Sequence, residues 1–381
     1  MIVCYVRPFY NWDMLAYVAL ARDDGSADFV EVHRNLYADL ATVVSAEQYN
    51  ILTGILPGKG SLPREAKDRK YMAEVARDAA AFREQLPFYS VKPVYPMLIS
   101  LLGFLSIDHF HASVIVTLTA YVLVCALVWH WLRRYHASKV TAAFAALVVL
   151  TSPLATLART SSPDLLSVWV IALSTYLLLE HRVIAWAIAL MLLSIPIRPN
   201  NAVWVVVMTG YLAVWAPTTI RINRWVAAGV AGAAVAVYVA LTQLAEFYGL
   251  STLFYVATVE YLPRPATFVS PLGPLDYARV YIEHLWSTAR GVAVVFALIA
   301  ALALTLLRRA GDLRNSAFAH IVLIRLATPI PLWLVNPPIF DRLAAVQYLI
   351  VVVIAIIAAG SRQHATLAPV PAGVGRGRGE A

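Results

Sequence analysis

Apolar runs recur along most of the chain, at 111–132, 139–157, 164–179, 183–197, 200–216, 225–244, 291–307, 317–335 and 343–359. Each approaches the length that a tilted helix needs to cross a hydrocarbon core of about 30 Å. The pattern predicts an all-α polytopic membrane protein with about nine transmembrane helices. Ahead of these runs, residues 7–92 are mostly polar, with nearly balanced acids and bases. Within this segment Tyr71, Val75, Ala79 and Phe82 recur at helical spacing, while Lys67, Arg69, Lys70, Arg77 and Asp78 occupy much of the other faces. That spacing predicts an amphipathic helix between Pro63 and Gln85, lying along a membrane surface. Pro93 to Leu105 is apolar but too short to cross, so it predicts a short interfacial or re-entrant helix before the first full span.

These elements divide the chain into a first extracytoplasmic loop with interfacial helices (1–110), a transmembrane domain (111–360) and a disordered cytoplasmic tail (361–381). The tail is rich in Pro, Gly and Arg from Ala368 onward and has too few apolar residues to pack. A large polar loop near the start has to be exported, yet Met1 to Val6 is too short for a signal peptide or a span. The expectation is of a first transmembrane helix ahead of Asp13 that this chain lacks.

Composition agrees with the membrane reading: 60% of residues are hydrophobic and 14% charged, against roughly a quarter charged in soluble domains. The net charge of +8 comes from basic clusters in short links: Arg133-Arg134 with Lys139, Arg182, Arg221 with Arg224, and Arg308-Arg309 with Arg314. Placing all of them inside, as the positive-inside rule demands, leaves the polar loop outside and the short helix uncrossed. The charge therefore reads as the topology of a multi-pass cell-membrane protein, and nucleic acid is not an expected partner. With Cys4 and Cys125 alone, neither a disulfide framework nor a cysteine metal site is expected.

This topology gathers the unusual polar residues on the extracytoplasmic face. Asp13 lies four residues before Tyr17, so a helix puts both on one side, where the carboxylate would be a general base or, more plainly, an N-cap or solvated acid. Lys92 precedes Pro93-Val94-Tyr95-Pro96, a stiff segment that aims its ammonium at the interface, either to bind a lipid phosphate or to snorkel. Asp164 and Arg159, flanking Thr160-Ser161-Ser162-Pro163, and Asp341-Arg342 stand at span ends, each pair an internal salt bridge or a set of functional charges. Arg198 falls in Pro196-Ile197-Arg198-Pro199-Asn200, which reads as a tight helix hairpin or a broken one facing a site. Glu283 and His284 lack diagnostic ligand spacing, so no protein-bound metal and no cofactor are expected.

Four of these segments, in order, resemble the membrane-embedded C-type (GT-C) glycosyltransferases, which include protein O-mannosyltransferases and the lipid A aminoarabinose transferase. They are Asp13 with Tyr17; Lys92-Pro93-Val94-Tyr95-Pro96-Met97-Leu98, similar to the family's Lys-Pro-Pro-Leu-Tyr segment but with Val94 at its second Pro; Ser162-Pro163-Asp164-Leu165-Leu166; and Arg198-Pro199-Asn200. Arg342 with Tyr348 before the last span is a weaker fifth. The resemblance implies a GT-C-like fold and inverting transfer of a hexose or pentose from a polyprenyl-phosphate donor to an acceptor hydroxyl on a lipid, glycan or protein of the cell envelope. It also implies Asp13 as base, with Lys92, Tyr17, Tyr95, Asp164, Arg198 and Arg342 at the substrates. The alternatives are a transporter or flippase, whose site would lie near the midplane, and a non-catalytic membrane assembly protein of the same fold.

The topology is directly testable. A cysteine at Ser61, in a chain freed of Cys4 and Cys125, is expected to label with an impermeant thiol reagent from outside intact cells; labelling from the cytoplasm alone would overturn the arrangement.

Overall fold

The computed structural model describes residues 8, 10–23, 25, 28–56, 65–135, 138–139, 142–143, 146–147, 153–216, 220–289, 301, 304–305, 313–328 and 340–366, without side chains at 65–68, 284–289, 313–316, 326–327, 340–344 and 359–366. Among these residues the structure is helical and contains no β-strand. The polar segment folds as α1 (Trp12–Arg22), α2 (Phe29–Val43), α3 (Ala46–Leu52), α4 (Glu65–Arg77), α5 (Ala79–Arg83) and α6 (Pro87–Ser90). It leads into α7 (Val94–Gly103) and α8 (His109–Arg133). Then follow α9 (Pro153–Ala158), α10 (Asp164–Tyr176, prolonged by a π-helical turn to His181), α11 (Ile184–Ile197), α12 (Asn201–Val214) and α13 (Arg224–Leu244). The remainder comprises α14 (Leu250–Thr258), α15 (Pro274–Ala289), α16 (Leu313–Ala327) and α17 (Phe340–Thr366).

Among the described residues, three helical stretches are long and apolar enough to cross a membrane: α8, α10 with its π turn, and α13. Shorter apolar helices stand at α7, α11, α12 and Ala345–Ala358 of α17. The ten residues of α7 match the expectation of a helix too short to cross. About half of the run at 139–157, most of that at 291–307, and the tail from residue 367 lie outside the described residues. One boundary moves: α17 continues through Thr366, so the first six residues of the expected tail, 361–366, are helical.

Helix α1 holds the two halves of the fold together. Asn11 caps it by accepting a bond from the Met14 amide at 3.1 Å, and Asp13 in its first turn complements the positive end of the helix. Met14, Leu15, Ala16, Val18 and Ala19 are fully buried and Tyr17 is 2% exposed, so the helix keeps no solvent-facing stripe. It packs on α2, α6, α7 and α8.

One wall of α1 comes from the predicted amphipathic segment, with a difference. Tyr71, Val75 and Phe82 turn into a core shared with Met14, Leu15, Phe29 and Leu36 and do not lie on a membrane surface. The segment is also broken in two, because Asp78 ends α4 and caps α5 by accepting bonds from the Ala80 and Ala81 amides. Those amides hold the Asp78 carboxyl below its ordinary range. On the opposite side, Tyr95 and Ile99 of α7 and Ala112 and Val116 of α8 close over Tyr17.

The Leu15→Ala variant is expected to lose about 2–5 kcal/mol of stability, the cost of a cavity at a site walled on every side. Chemical unfolding in detergent, followed by circular dichroism, measures it; a loss below about 1 kcal/mol would mean that α1 is not packed from both sides.

Candidate functional site

Proline geometry sets the two cations of the site. Lys92 occupies the link between α6, which begins at Pro87, and α7, which follows Pro93; its amide donates to the Tyr89 carbonyl at 3.0 Å. The fixed φ of Pro93 leaves this link little freedom, so the lysine has a defined origin. Arg198 ends α11 in an extended conformation (φ −152°, ψ 104°), as the residue before Pro199 should. Pro196 sits inside α11, and the hairpin to α12 is closed by the Asn201 amide donating to the Arg198 carbonyl at 2.9 Å and the Ala202 amide donating to that of Pro199 at 2.9 Å.

From these origins a connected polar array runs across the top of the bundle. Tyr89 donates its hydroxyl proton to Asp13 Oδ1 at 3.1 Å, and Lys92 Nζ donates to the Tyr17 hydroxyl at 3.0 Å. The Lys92 ammonium also lies over the Tyr17 and Tyr89 rings, 5.5 and 5.3 Å from their centroids. Burial, and then the Asp13 charge, push both tyrosine hydroxyls well above the usual range, so each stays protonated and able to donate. Tyr17 meets Tyr95 edge-on at 5.1 Å. Tyr95 donates to the Ser113 carbonyl at 2.9 Å and lies 2.9 Å from Thr117 Oγ1, which reaches the Ser162 carbonyl at 3.4 Å.

The array ends at a buried ion pair. Asp164 is 4% exposed and opens α10; it accepts a bond from Ser162 Oγ at 3.1 Å and pairs with the Arg198 guanidinium. Asn201 of α12 braces the same hairpin, donating to Ser167 Oγ at 2.9 Å and to the Ser194 carbonyl at 2.8 Å. A charge this far from water persists only when paired, so Asp164 and Arg198 hold α10 and the α11–α12 hairpin in register.

Lys92 and Arg198, 106 positions apart in the chain, line a single cleft. It encloses about 620 Å³ of space open to solvent, walled by Phe88, Val91, Tyr238, Phe247, Leu250 and Leu253. Its far wall is held from outside. Gln85 donates to the carbonyls of Leu262 and Pro263 at 2.9 Å each, Tyr261 stacks on Tyr71 at 5.2 Å, and Arg264 pairs with Asp78 and Glu84. These contacts tie the segment after α14 to α4 and α5. Tyr238 and Thr242 belong to α13, whose outward face leaves Val235, Val239 and Leu244 uncovered.

The structure thus brings Asp13, Tyr17, Lys92, Tyr95, Asp164 and Arg198 together, but in different capacities. Lys92 and Arg198 face the cleft; Asp13 stands behind Tyr89, Tyr17 lies beneath Lys92, and the Tyr95 hydroxyl is taken up by α8. The Arg342 side chain lies outside the described residues. Glu283 accepts from Arg279 at 3.0 Å one turn away, and the His284 side chain is also outside the described residues. Tyr89 and Phe88 were not singled out from sequence, although their place two turns after the Tyr71 to Phe82 face and just before Lys92 was a usable signal. No protein-family model, no curated protein and no solved structure matches this chain.

Asp164→Asn or Arg198→Gln alone is expected to lower stability by roughly 3–5 kcal/mol, because each strands its partner in the interior. The double variant should recover part of that loss in a thermodynamic cycle, whereas additive losses would show that the pair is not coupled.

Proposed function

We propose that this chain is an integral, multi-pass membrane glycosyltransferase of the GT-C type, moving a sugar from a polyprenyl-phosphate donor to an acceptor hydroxyl at the extracytoplasmic face with inversion. The observation that carries the reading is the cleft in which Lys92 and Arg198 face one another across aromatic and aliphatic walls. A polyprenyl phosphate has this same duality, an anion joined to a long apolar chain. The two cations suit the phosphate, and the walls lead to the uncovered apolar face of α13, along which the chain would pass into lipid.

In the proposed step the acceptor hydroxyl replaces Tyr89 as donor to the Asp13 carboxylate. Its proton passes to Asp13 as the new bond to the anomeric carbon forms on the face opposite the phosphate. The carbon–oxygen bond to phosphate breaks and the electron pair leaves with the phosphate oxygen. Lys92 and Arg198 then meet a charge that grows toward the transition state, so they lower the barrier as well as hold the donor. The Tyr17 hydroxyl and the two tyrosine rings fix the ammonium in place before the donor arrives.

The test uses the full chain in membrane vesicles, with labelled polyprenyl-phosphate sugars for transfer and a polyprenyl monophosphate for binding. Asp13→Asn is expected to fold and to lose transfer while retaining lipid binding. Lys92→Ala is expected to weaken polyprenyl-phosphate binding by about tenfold or more, the value of one charge-assisted contact. Near-normal turnover in Asp13→Asn would remove Asp13 as base, and undiminished affinity in Lys92→Ala would remove the phosphate role of the cleft.

A further inference from the structure

Beneath the Asp164–Arg198 pair lies a second cation that the proposed transfer does not use. Arg325 of α16 is 1% exposed, among the largest fully buried side chains in the molecule. Its guanidinium rests on the Trp204 ring, 4.3 Å from the centroid, and donates through Nη2 to Thr175 Oγ1 at 3.2 Å. Among the described residues it has no carboxylate partner, and its Nε proton finds no acceptor. A lone buried charge is expensive, and Asp164 is already matched by Arg198, so among the described residues the Arg325 charge is left unmatched.

The space that this charge faces is a small cavity lined by Ser167, Arg198, Asn200, Asn201, Arg325 and Gln347, among others. None of its described lining residues is acidic. Ser167 already accepts a bond from Asn201, which leaves its own hydroxyl proton to donate. Arg198 and Asn200 line both this cavity and the open cleft, so the two spaces adjoin through the α11–α12 turn.

We infer that the interior cavity is a binding site for a small oxyanion, phosphate or carboxylate in chemistry, held by Arg325 and Ser167 and reached past Arg198. Such a ligand supplies the acceptor that Arg325 Nε lacks and the negative charge that the cavity lacks. A guanidinium fork fits the two oxygens of an oxyanion better than it fits a halide. The Trp204 face holds the guanidinium in place. The inference stands whether or not the chain transfers sugar.

The experiment is thermal unfolding of the full chain in lipid nanodiscs, titrating inorganic phosphate against chloride at fixed ionic strength and, in a second arm, a polyprenyl monophosphate. Phosphate is expected to raise the Tm of the natural chain saturably. Arg325→Met is expected to unfold at a higher temperature than the natural chain without ligand, because a stranded charge is gone, and to bind phosphate about tenfold more weakly or worse. Arg325→Lys, which keeps the charge and loses the fork, should fold and show a smaller loss. Lys92→Ala should weaken the response to the lipid while the Arg325-dependent part of the response to inorganic phosphate remains, so failure of the cleft and failure of the cavity are told apart.

An Arg325-dependent response to inorganic phosphate identifies a free ion. One confined to the polyprenyl monophosphate identifies the headgroup of a lipid. Equal responses in the natural chain and both Arg325 variants, or no response in any, overturn the inference.

Discussion

A helix without a polar stripe has to be enclosed, and most of this architecture follows from enclosing α1. From Met14 to Ala19 every side chain is buried, so no face of that stretch is left for solvent. The polar segment can therefore not drift as a loop above the bundle. Phe82, Val75 and Leu36 close one side of α1, and Tyr95, Ile99 and Ala112 close the other. Tyr17 lies at the seam of these two cores, which is why Lys92, from the link that joins them, reaches its hydroxyl.

The electrostatics grade from the opening inward. At the cleft, Lys92 is partly buried and rests on two aromatic faces, which screen little of its charge from an incoming anion. One layer down, Asp164 pairs with Arg198 and orients it where it lines the cleft. Deeper again, Arg325 has an aromatic face and one hydroxyl, but no counter-charge among the described residues. Burial raises the cost of each charge along this line, yet the deepest cation has no carboxylate partner among the described residues. A molecule built only for stability would not keep such a charge, since apolar replacements of buried charges are often neutral or stabilising.

The cleft also depends on contacts far from it. Gln85 is 2% exposed and gives both amide protons to carbonyls at Leu262 and Pro263, a buried and satisfied link of the kind that specifies one arrangement. The exposed pairs of Arg264 with Asp78 and Glu84 add little energy each. Together they fix where the chain goes after α14, and so where Leu250 and Leu253 stand opposite Lys92.

Sequence periodicity and punctuation determined much by themselves. Apolar runs place α8, α10, α11, α12 and α13 within a few residues of their observed bounds, because a continuous apolar stretch admits few other structures. Prolines announced the stiff link at Lys92 and the hairpin at Arg198, since their constraint is local and needs no partner. Local pattern could not say what would cover the face of Tyr71, Val75 and Phe82, because an amphipathic face specifies that it must be buried and not against what. Nor could it foresee the break at Asp78, where a side chain bonding its own backbone competes with helix continuation. Only tertiary structure decided that Asp164 pairs with Arg198, that Tyr95 serves α8, and that Arg325 meets no counter-charge among the described residues. Those outcomes depend on which helices meet, and that is settled by the packing of whole faces across dozens of residues of chain.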